Sequence, residues 1–172
     1  MGVVFKMAKF KIGESLIYGT VGLVEIVDIR QDSAVGTVHE YYVLRECASA
    51  SDSQIFVPTD NGKLVSNMRP LISCREAKRL LSLDKRMPVE WVRDNRLRSE
   101  KFRAVIESGN REAILSLISA IQNVKRERIA AGKKNYLLDE NILEKAKRLI
   151  ISEFSAVLKK TEAEIREILE KI

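Results

Sequence analysis

The chain has few of the side chains on which most metal-binding sites and disulfide frameworks depend. Its 172 residues include one histidine, two cysteines and one tryptophan. Cys47 and Cys74 are not spaced as metal ligands, and two cysteines do not make a disulfide framework. We therefore expect a protein of a reducing cytoplasm, without a structural metal or a cofactor.

Long apolar runs are also missing. The longest apolar-rich stretch, near residues 113–121, is short and interrupted by serines, so the sequence predicts no membrane span. The first seven residues are too few for a signal peptide and lack a small-residue cleavage site. Apolar residues make up 45% of the chain and charged residues 31%, which is typical of a soluble protein with one or two small domains.

Candidate catalytic residues are isolated. His39 lies in or beside a predicted loop without an obvious partner in sequence, which is typical of a surface histidine. Cys47 needs an activating neighbour to act as a nucleophile, and Arg45 adds no proton acceptor, so a structural thiol is favoured. No Gly-Lys-Ser/Thr phosphate loop is present, and Gly19–Gly22 leads into a predicted strand. The sequence therefore predicts that the protein is not an enzyme.

The net charge of +6 is unevenly distributed along the chain. Residues 1–73 carry 7 basic and 8 acidic side chains, residues 75–134 carry 16 and 8, and residues 135–172 carry 7 and 8. The excess is thus a central block that contains Trp91. Such a block attracts nucleic acid or another anionic surface, although a merely solvated helical face has the same composition.

Residues 9–69 follow a pattern typical of β-strands. Short runs of apolar, aromatic and β-branched residues are separated by turn residues. The predicted strands are Leu16–Tyr18, Leu23–Arg30, Glu40–Leu44 and Gln54–Pro58. Asn61-Gly62 is the strongest short turn signal in the chain. Several short strands at this spacing predict a small, strongly bent sheet or barrel.

The pattern becomes helical at Ser73, where Ser73–Glu76 has the sequence of a capping box. The sequence then predicts helices over 74–83 and 88–108, and three more after Asn110, after Asp139 and after the Thr161–Glu164 capping box. The prediction is an α+β chain. Residues 1–73 form a small β domain, and residues 74–172 form a bundle of four to five helices.

Trp91 falls near the start of the predicted helix 88–108, and Arg93, Arg96 and Arg98 follow it. On a helix, the residues three and four positions after Trp91 would both be polar, whereas a core tryptophan usually has an apolar partner there. Two interpretations stay open. Trp91 anchors the helical core beside a solvated arginine face, or it presses against unstacked bases while the arginines hold phosphates.

The order of the motifs resembles the CarD/CdnL family of bacterial transcription factors. The ordered set extends over both predicted domains, from about residue 9 to about residue 160. The stretches that carry the resemblance are 10–18, 22–30, 40–44, 56–58, 68–69, 86–88, Trp91, 107–110 and 138–149.

The resemblance implies a Tudor-like, SH3-like N-terminal domain that binds the β subunit of RNA polymerase, and a helical C-terminal domain that binds promoter DNA. It also implies that Trp91 is wedged into the minor groove at the upstream edge of the transcription bubble. Basic residues beside this tryptophan, and a second basic region further along, contact the DNA. The expected DNA interface consists of Trp91, Arg93, Arg96, Arg98, Lys133 and Lys134.

The resemblance places the polymerase interface on the β domain. Arg30 matches an arginine used at that interface. Phe56 falls where some members carry another arginine, so this charge is absent, while the strand can still pair its backbone with the polymerase. The expected polymerase interface consists of Arg30, Ile55, Phe56, Val57 and Pro58.

Together these observations predict a transcription regulator that stabilises the open promoter complex. We expect it to act as a cytoplasmic monomer, associated with the nucleoid through RNA polymerase. The alternative is an adaptor that resembles the polymerase-interaction domain of transcription-repair coupling factors and makes no contact with promoter DNA.

Overall fold

The chain forms two compact units, Met1–Leu71 and Ile72–Ile172, which we call the N-terminal and C-terminal units. The structure is a computed structural model and describes residues 9–34, 37–47, 53–83 and 86–172, without the side chains of 32–34 and 37. The N-terminal unit contains an antiparallel sheet and the C-terminal unit contains helices, so the expected α+β class is confirmed. None of the described helices combines the length and the apolar composition needed to span a bilayer.

The N-terminal unit is built on a five-stranded antiparallel sheet. The strands are β1 (Ser15–Tyr18), β2 (Gly22–Ala34), β3 (Thr37–Glu46), β4 (Gln54–Pro58) and β5 (Met68–Pro70). Their spatial order is β4-β3-β2-β1-β5. Within the described part of the chain, β4 and β5 are therefore the two edges, and the sheet is open rather than closed into a barrel.

The sheet packs its main apolar core on one face, and Val43 is buried on the other face. Leu16, Val24, Ile26, Leu44 and Val57 are each fully buried in this core. A register shift between Ile26 and Asp28, where β2 pairs with β3, marks a bulge at Val27. Bulges increase the local twist of a strand and bend it. Away from this bulge, successive side chains of a strand point to opposite faces, so the strand register decides which side chains can reach a partner.

Asn61-Gly62 does not form the expected tight turn. The Asn61 side chain instead accepts a hydrogen bond from the Leu64 amide, at 3.2 Å, and opens the single helical turn α1 (Gly62–Val65). Asparagine is favoured at helix N-caps as well as in turns because its side-chain oxygen satisfies a free amide. The Asn-Gly pair is thus compatible with a tight turn and with a helix N-cap, and in this fold it forms the N-cap.

The C-terminal unit contains five described helices around one apolar core. They are α2 (Cys74–Leu81), α3 (Asn95–Ser108), α4 (Arg111–Ala130), α5 (Leu137–Leu158) and α6 (Glu162–Glu170). The apolar stripe of α4 is buried, from Ile114 to Ile121, and packs against α5. Helices that bury one apolar face in this way derive most of their stability from the packing.

Three predicted helix caps are present. Ser73 and Asn110 each accept the expected amide hydrogen bond, and Thr161 forms a complete capping box with Glu164. At α2 the Glu76 carboxylate forms an ion pair with Arg79, at 2.8 Å, so only the serine half of that predicted box is seen. Caps depend on residues three positions apart, which is why they can be read from the sequence.

Two predicted helix starts are wrong. The helix expected from Pro88 begins at Asn95, because the Asp94 carboxylate accepts the Leu97 amide at 2.7 Å and caps it. The helix expected to begin after Asp139 begins at Leu137 instead, so Asp139 lies inside its first turn and does not cap it. Trp91 therefore lies in the non-helical segment 86–94, and the helical neighbours assigned to it do not apply.

Candidate functional site

Trp91 is partly buried, so neither interpretation drawn from the sequence describes it fully. Its ring meets Phe102 edge-on, with 5.6 Å between centroids and 61° between planes. The Cζ atom of Arg98 lies 4.9 Å from the centroid of the Trp91 ring. Trp91 is thus packed against the helical core at its edge. The part of the ring that remains exposed can still meet a partner.

Arg98 is a buried residue, so the prediction that its side chain contacts DNA phosphates does not agree with the structure. The side chain is 1% exposed and forms a buried ion pair with Asp139, at 2.9 Å. It donates further hydrogen bonds to the carbonyl oxygens of Val92, at 2.8 Å, and Arg93, at 3.3 Å. A guanidinium that is enclosed in this way cannot reach a phosphate.

Arginines and aromatic rings connect the Trp91 segment to the start of α5. Arg98 lies 4.8 Å from the centroid of Tyr136, and Arg128 lies 4.0 Å from the same centroid. Arg128 also donates from Nε to the carbonyl oxygen of Lys134, at 2.9 Å. We call Trp91, Arg98, Tyr136 and Arg128 the arginine–aromatic stack. Residues more than 40 positions apart in sequence are joined through it.

The remaining predicted DNA-binding residues are exposed near the two ends of this stack. Arg93 directly precedes the Asp94 cap of α3, and Arg96 is 90% exposed in its side chain, beside Glu100 at 3.2 Å. Lys133 and Lys134 are exposed in the turn between α4 and α5. The arginine–aromatic stack therefore joins two segments that carry four exposed basic side chains, and such side chains suit nucleic-acid phosphates.

Sequence reasoning missed the residues that organise this site. Tyr136, Asp139 and Asn95 contact Arg98, and none of them was assigned this role. Asp139 lies 41 positions after Arg98, and no spacing rule connects them. Arg128 lies within the basic block of residues 75–134, but its contact with Tyr136 was not predicted. The only available signal was the excess of arginine near the single tryptophan.

In the N-terminal unit, the sheet brings two of the predicted polymerase-binding residues into one row. Arg30 pairs in register with Tyr41, and Tyr41 pairs with Pro58. Residues directly opposite each other share a face of a sheet. Arg30 also forms an ion pair with Asp28, at 2.7 Å. The hydrogen bond from Arg30 holds the pKa of Asp28 below its ordinary value.

The side chains of β4 divide between the two faces of the sheet. Phe56 is 50% exposed and, two residues before Pro58, lies on the Arg30 face. Val57 is fully buried, and Ile55 is partly buried against the same core. Because the period of two in a strand turns Val57 into the core, its side chain is enclosed, and Phe56 and Pro58 are the residues of this strand whose side chains lie on the Arg30 face.

The backbone of β4 is available on one edge. Thr59 donates to the Glu40 carbonyl oxygen, at 2.9 Å, which sets the alternation of hydrogen-bonded pairs along β3 and β4. By this alternation Ile55 and Val57 bond to β3, whereas Gln54 and Phe56 direct their N–H and C=O groups outward. Among the described strands, none lies beyond β4. Such an edge can accept a strand from a partner.

The isolated residues considered for catalysis have ordinary surroundings. His39 does have a partner, since its Nδ1 lies 3.4 Å from the Asp60 carboxylate, on an exposed part of the sheet. Burial raises the pKa of the Cys47 thiol, which lowers the fraction of reactive thiolate at neutral pH. Within the described ranges, no group of three acidic, histidine or cysteine side chains could hold a metal ion.

A comparison with protein families found a match, which lies in the N-terminal unit. Residues 10–72 match the family model described as the CarD-like/TRCF RID domain, and this match ends where the C-terminal unit begins. A comparison with curated proteins found no match. Residues 10–72 are therefore similar to a CarD-like/TRCF RID domain, and this likeness indicates an RNA polymerase-interacting module.

Proposed function

We propose that the protein is a non-enzymatic transcription regulator of the CarD/CdnL type, with a Tudor-like N-terminal domain. The N-terminal unit binds the β subunit of RNA polymerase, and the C-terminal unit binds promoter DNA at the upstream edge of the bubble. The complex formed in this way stabilises the open promoter. The protein acts as a cytoplasmic monomer and needs no cofactor.

One observation carries this proposal. Residues 10–72, which are similar to a polymerase-interacting domain, share their chain with a unit in which contacts link a partly exposed tryptophan to two segments with exposed basic side chains. The flanking residues are Arg93, Arg96, Lys133 and Lys134. Basic side chains bind phosphates without regard to sequence, and apolar or aromatic wedges enter DNA steps that are already distorted. A bubble edge offers both features.

The polymerase contact is proposed for the free edge of β4. Gln54 and Phe56 direct backbone groups outward, and Pro58, which lacks an N–H, limits the pairing at one end. Arg30 and the exposed Phe56 side chain flank this edge on one face of the sheet. The tether raises the local concentration of the C-terminal unit at the promoter, so weak phosphate contacts suffice there.

Stabilisation requires only a modest preference for the melted state. A ligand shifts an equilibrium by its difference in affinity for the two states. A preference of about 1.4 kcal/mol changes the ratio of open to closed promoter roughly tenfold. The exposed part of Trp91 and four phosphate contacts can provide this difference if the wedge is formed only at the melted edge.

The test is the lifetime of the open complex after competitor challenge, with cognate polymerase and a promoter fragment. We expect wild-type protein to lengthen the lifetime of the open complex. The lifetime with Trp91→Ala should be about tenfold shorter than with wild type. Trp91→Ala should keep its affinity for polymerase. Phe56→Pro, which removes an outward N–H from an edge strand, should instead weaken polymerase binding. Phe56→Ala is its control for the side chain alone.

A second candidate function is a polymerase-binding adaptor that makes no contact with promoter DNA. It is favoured by the extent of the family match, which covers residues 10–72 and is shared with transcription-repair coupling factors. An adaptor would bind polymerase equally well with and without promoter DNA. The lifetime of the open complex would then be the same with wild type, with Trp91→Ala and without the protein.

A further inference from the structure

Arg98 has a buried charge that neither DNA binding nor simple packing explains. Enclosing a cation is costly unless it is fully paired. We propose that Arg98, held by Asp139, is a positioning residue that sets the orientation of Trp91 and couples the Trp91 segment to the Lys133–Lys134 turn. This inference rests on the proposed function, in which Trp91 and that turn contact the same DNA.

The first step is the number of bonds that Arg98 forms. Its Nε and Nη2 atoms donate hydrogen bonds to the Asp139 carboxylate, at 3.1 and 2.9 Å. Nη2 also donates to the Asn95 side chain, at 2.9 Å. Nη1 donates to the carbonyl oxygens of Val92 and Arg93. A guanidinium has five N–H groups, so each of them has an acceptor. This geometry fixes the guanidinium plane.

The second step is the contact of the fixed Arg98 guanidinium with the backbone and the ring of Trp91. The two carbonyl groups that accept from Nη1 belong to Val92 and Arg93, the two residues after Trp91. Arg98 therefore fixes the backbone next to the tryptophan. The same guanidinium lies over the indole ring, at 4.9 Å, while Phe102 bounds another side of the ring. Rotation of the ring would lose both contacts. The exposed part of Trp91 is therefore presented in one orientation before any partner binds.

The third step is the link to the second basic region. Arg98 contacts the Tyr136 ring, which Arg128 also contacts, and Arg128 holds the carbonyl oxygen of Lys134. A shift of the Arg98 guanidinium therefore disturbs contacts at both ends of the arginine–aromatic stack. Lysine cannot replace arginine here, because its ammonium is a point charge with three donors and cannot bond five acceptors in one plane.

The salt dependence of DNA affinity distinguishes a positioning role of Arg98 from phosphate binding. Each phosphate neutralised by a basic side chain adds about 0.9 to the slope of log affinity against log salt concentration. Arg98 is enclosed, so its replacement by lysine should leave this slope unchanged. It should still shorten the lifetime of the open complex, because the orientation of Trp91 is lost.

The experiment uses the full chain and three variants. Arg98→Lys keeps the charge but loses the planar fork. Tyr136→Leu removes the ring and keeps the Arg98–Asp139 pair, which provides a second test if Arg98→Lys fails to fold by far-UV circular dichroism. Arg103→Lys changes an exposed arginine on the same helix and is the matched control. Acrylamide quenching of the single tryptophan reports on its environment without polymerase or DNA.

We expect Arg98→Lys and Tyr136→Leu to increase the quenching of Trp91 and to shorten the open-complex lifetime about threefold, within the coupling energies seen for residues in contact. Their salt slopes and polymerase affinities should equal those of wild type, and Arg103→Lys should match wild type throughout. Unchanged quenching in both variants would overturn the positioning role. Increased quenching with unchanged lifetimes would also overturn it, provided that Trp91→Ala shortens the lifetime.

A different result would count against the proposed function instead. If wild-type protein and Trp91→Ala gave the same open-complex lifetime, promoter stabilisation by Trp91 would be refuted, whatever the quenching data showed. A lower salt slope in Arg98→Lys would mean that Arg98 binds phosphate. That result would overturn the positioning role, because the guanidinium would then have to leave Asp139 when DNA binds.

Discussion

Replacing Arg98 by methionine should strongly destabilise the C-terminal unit. Methionine fills much of the same volume but leaves the Asp139 carboxylate, which is 4% exposed, buried without its cation. Removing one partner of a buried ion pair costs about 3–5 kcal/mol. The carbonyl oxygens of Val92 and Arg93 also lose a donor. We therefore expect a loss of at least about 3 kcal/mol.

Urea unfolding followed by tryptophan fluorescence measures this loss in the correct unit, since Trp91 is the only tryptophan of the chain. For a unit of this size, a loss of about 3 kcal/mol lowers the urea midpoint by about 2 M. Arg103→Met, on the exposed face of α3, should change the free energy of unfolding by less than about 0.5 kcal/mol. It is the control for replacing an arginine on this helix.

The double variant Arg98→Met/Asp139→Leu separates charge burial from packing. It should recover much of the stability, with a coupling energy of about 2–3 kcal/mol, because no buried charge remains unpaired. A cost below about 1 kcal/mol for Arg98→Met would refute the reasoning, since a desolvated pair cannot be broken so cheaply. Strict additivity of the two single substitutions would refute it as well.

Two further predictions concern exposed residues. Arg93→Ala and Arg96→Ala should each reduce the slope of log DNA affinity against log salt concentration by about 0.9. The slope is measured by titration of a promoter fragment at several salt concentrations. An unchanged slope would mean that the replaced arginine does not contact a phosphate. At α6, hydrogen bonds from the Thr161 amide, then from Lys160 and the Thr161 hydroxyl, lower the pKa of Glu164 to about 2 from an ordinary value of 4.5. A lowered folded-state pKa gives a stabilisation that is present above 4.5 and is lost as the pH falls towards 2. The protection factors of the α6 amides, which correct for the pH dependence of intrinsic exchange, should therefore decrease over this range. Glu164→Gln should show a weaker pH dependence than wild type, and equal dependence in both would contradict the assignment.

Local features were predictable from the sequence. The order of strands followed by helices, and the caps at Ser73, Asn110 and Thr161, depend on residues within a few positions of one another. Hydrophobic period and capping chemistry act over that range, so they can be read without a fold. The start of α3 was missed because Pro88 and Asp94 are both acceptable starts, and the choice depended on the contacts of segment 86–94.

Some of those contacts lie far away in the chain. The Met87 amide donates to the Ser116 hydroxyl, at 3.1 Å, and Trp91 packs against Phe102. The non-helical backbone over 86–94 allows both contacts. Pro88 is compatible with a helix start, but it does not require one. Local propensity is a weak prior where tertiary packing offers such alternatives.

For the candidate site, the sequence by itself determined composition: one tryptophan among arginines, a second basic cluster near Lys133, and a strand at 54–58. Only the tertiary structure decided which of these residues are exposed. Arg98 is enclosed because Asp139, 41 positions away, is brought to its guanidinium, and Val57 is buried because pairing with β3 turns it into the core. The physical reason is that burial and ion pairing depend on distances in space, and neighbouring residues in sequence carry no information about partners so far along the chain.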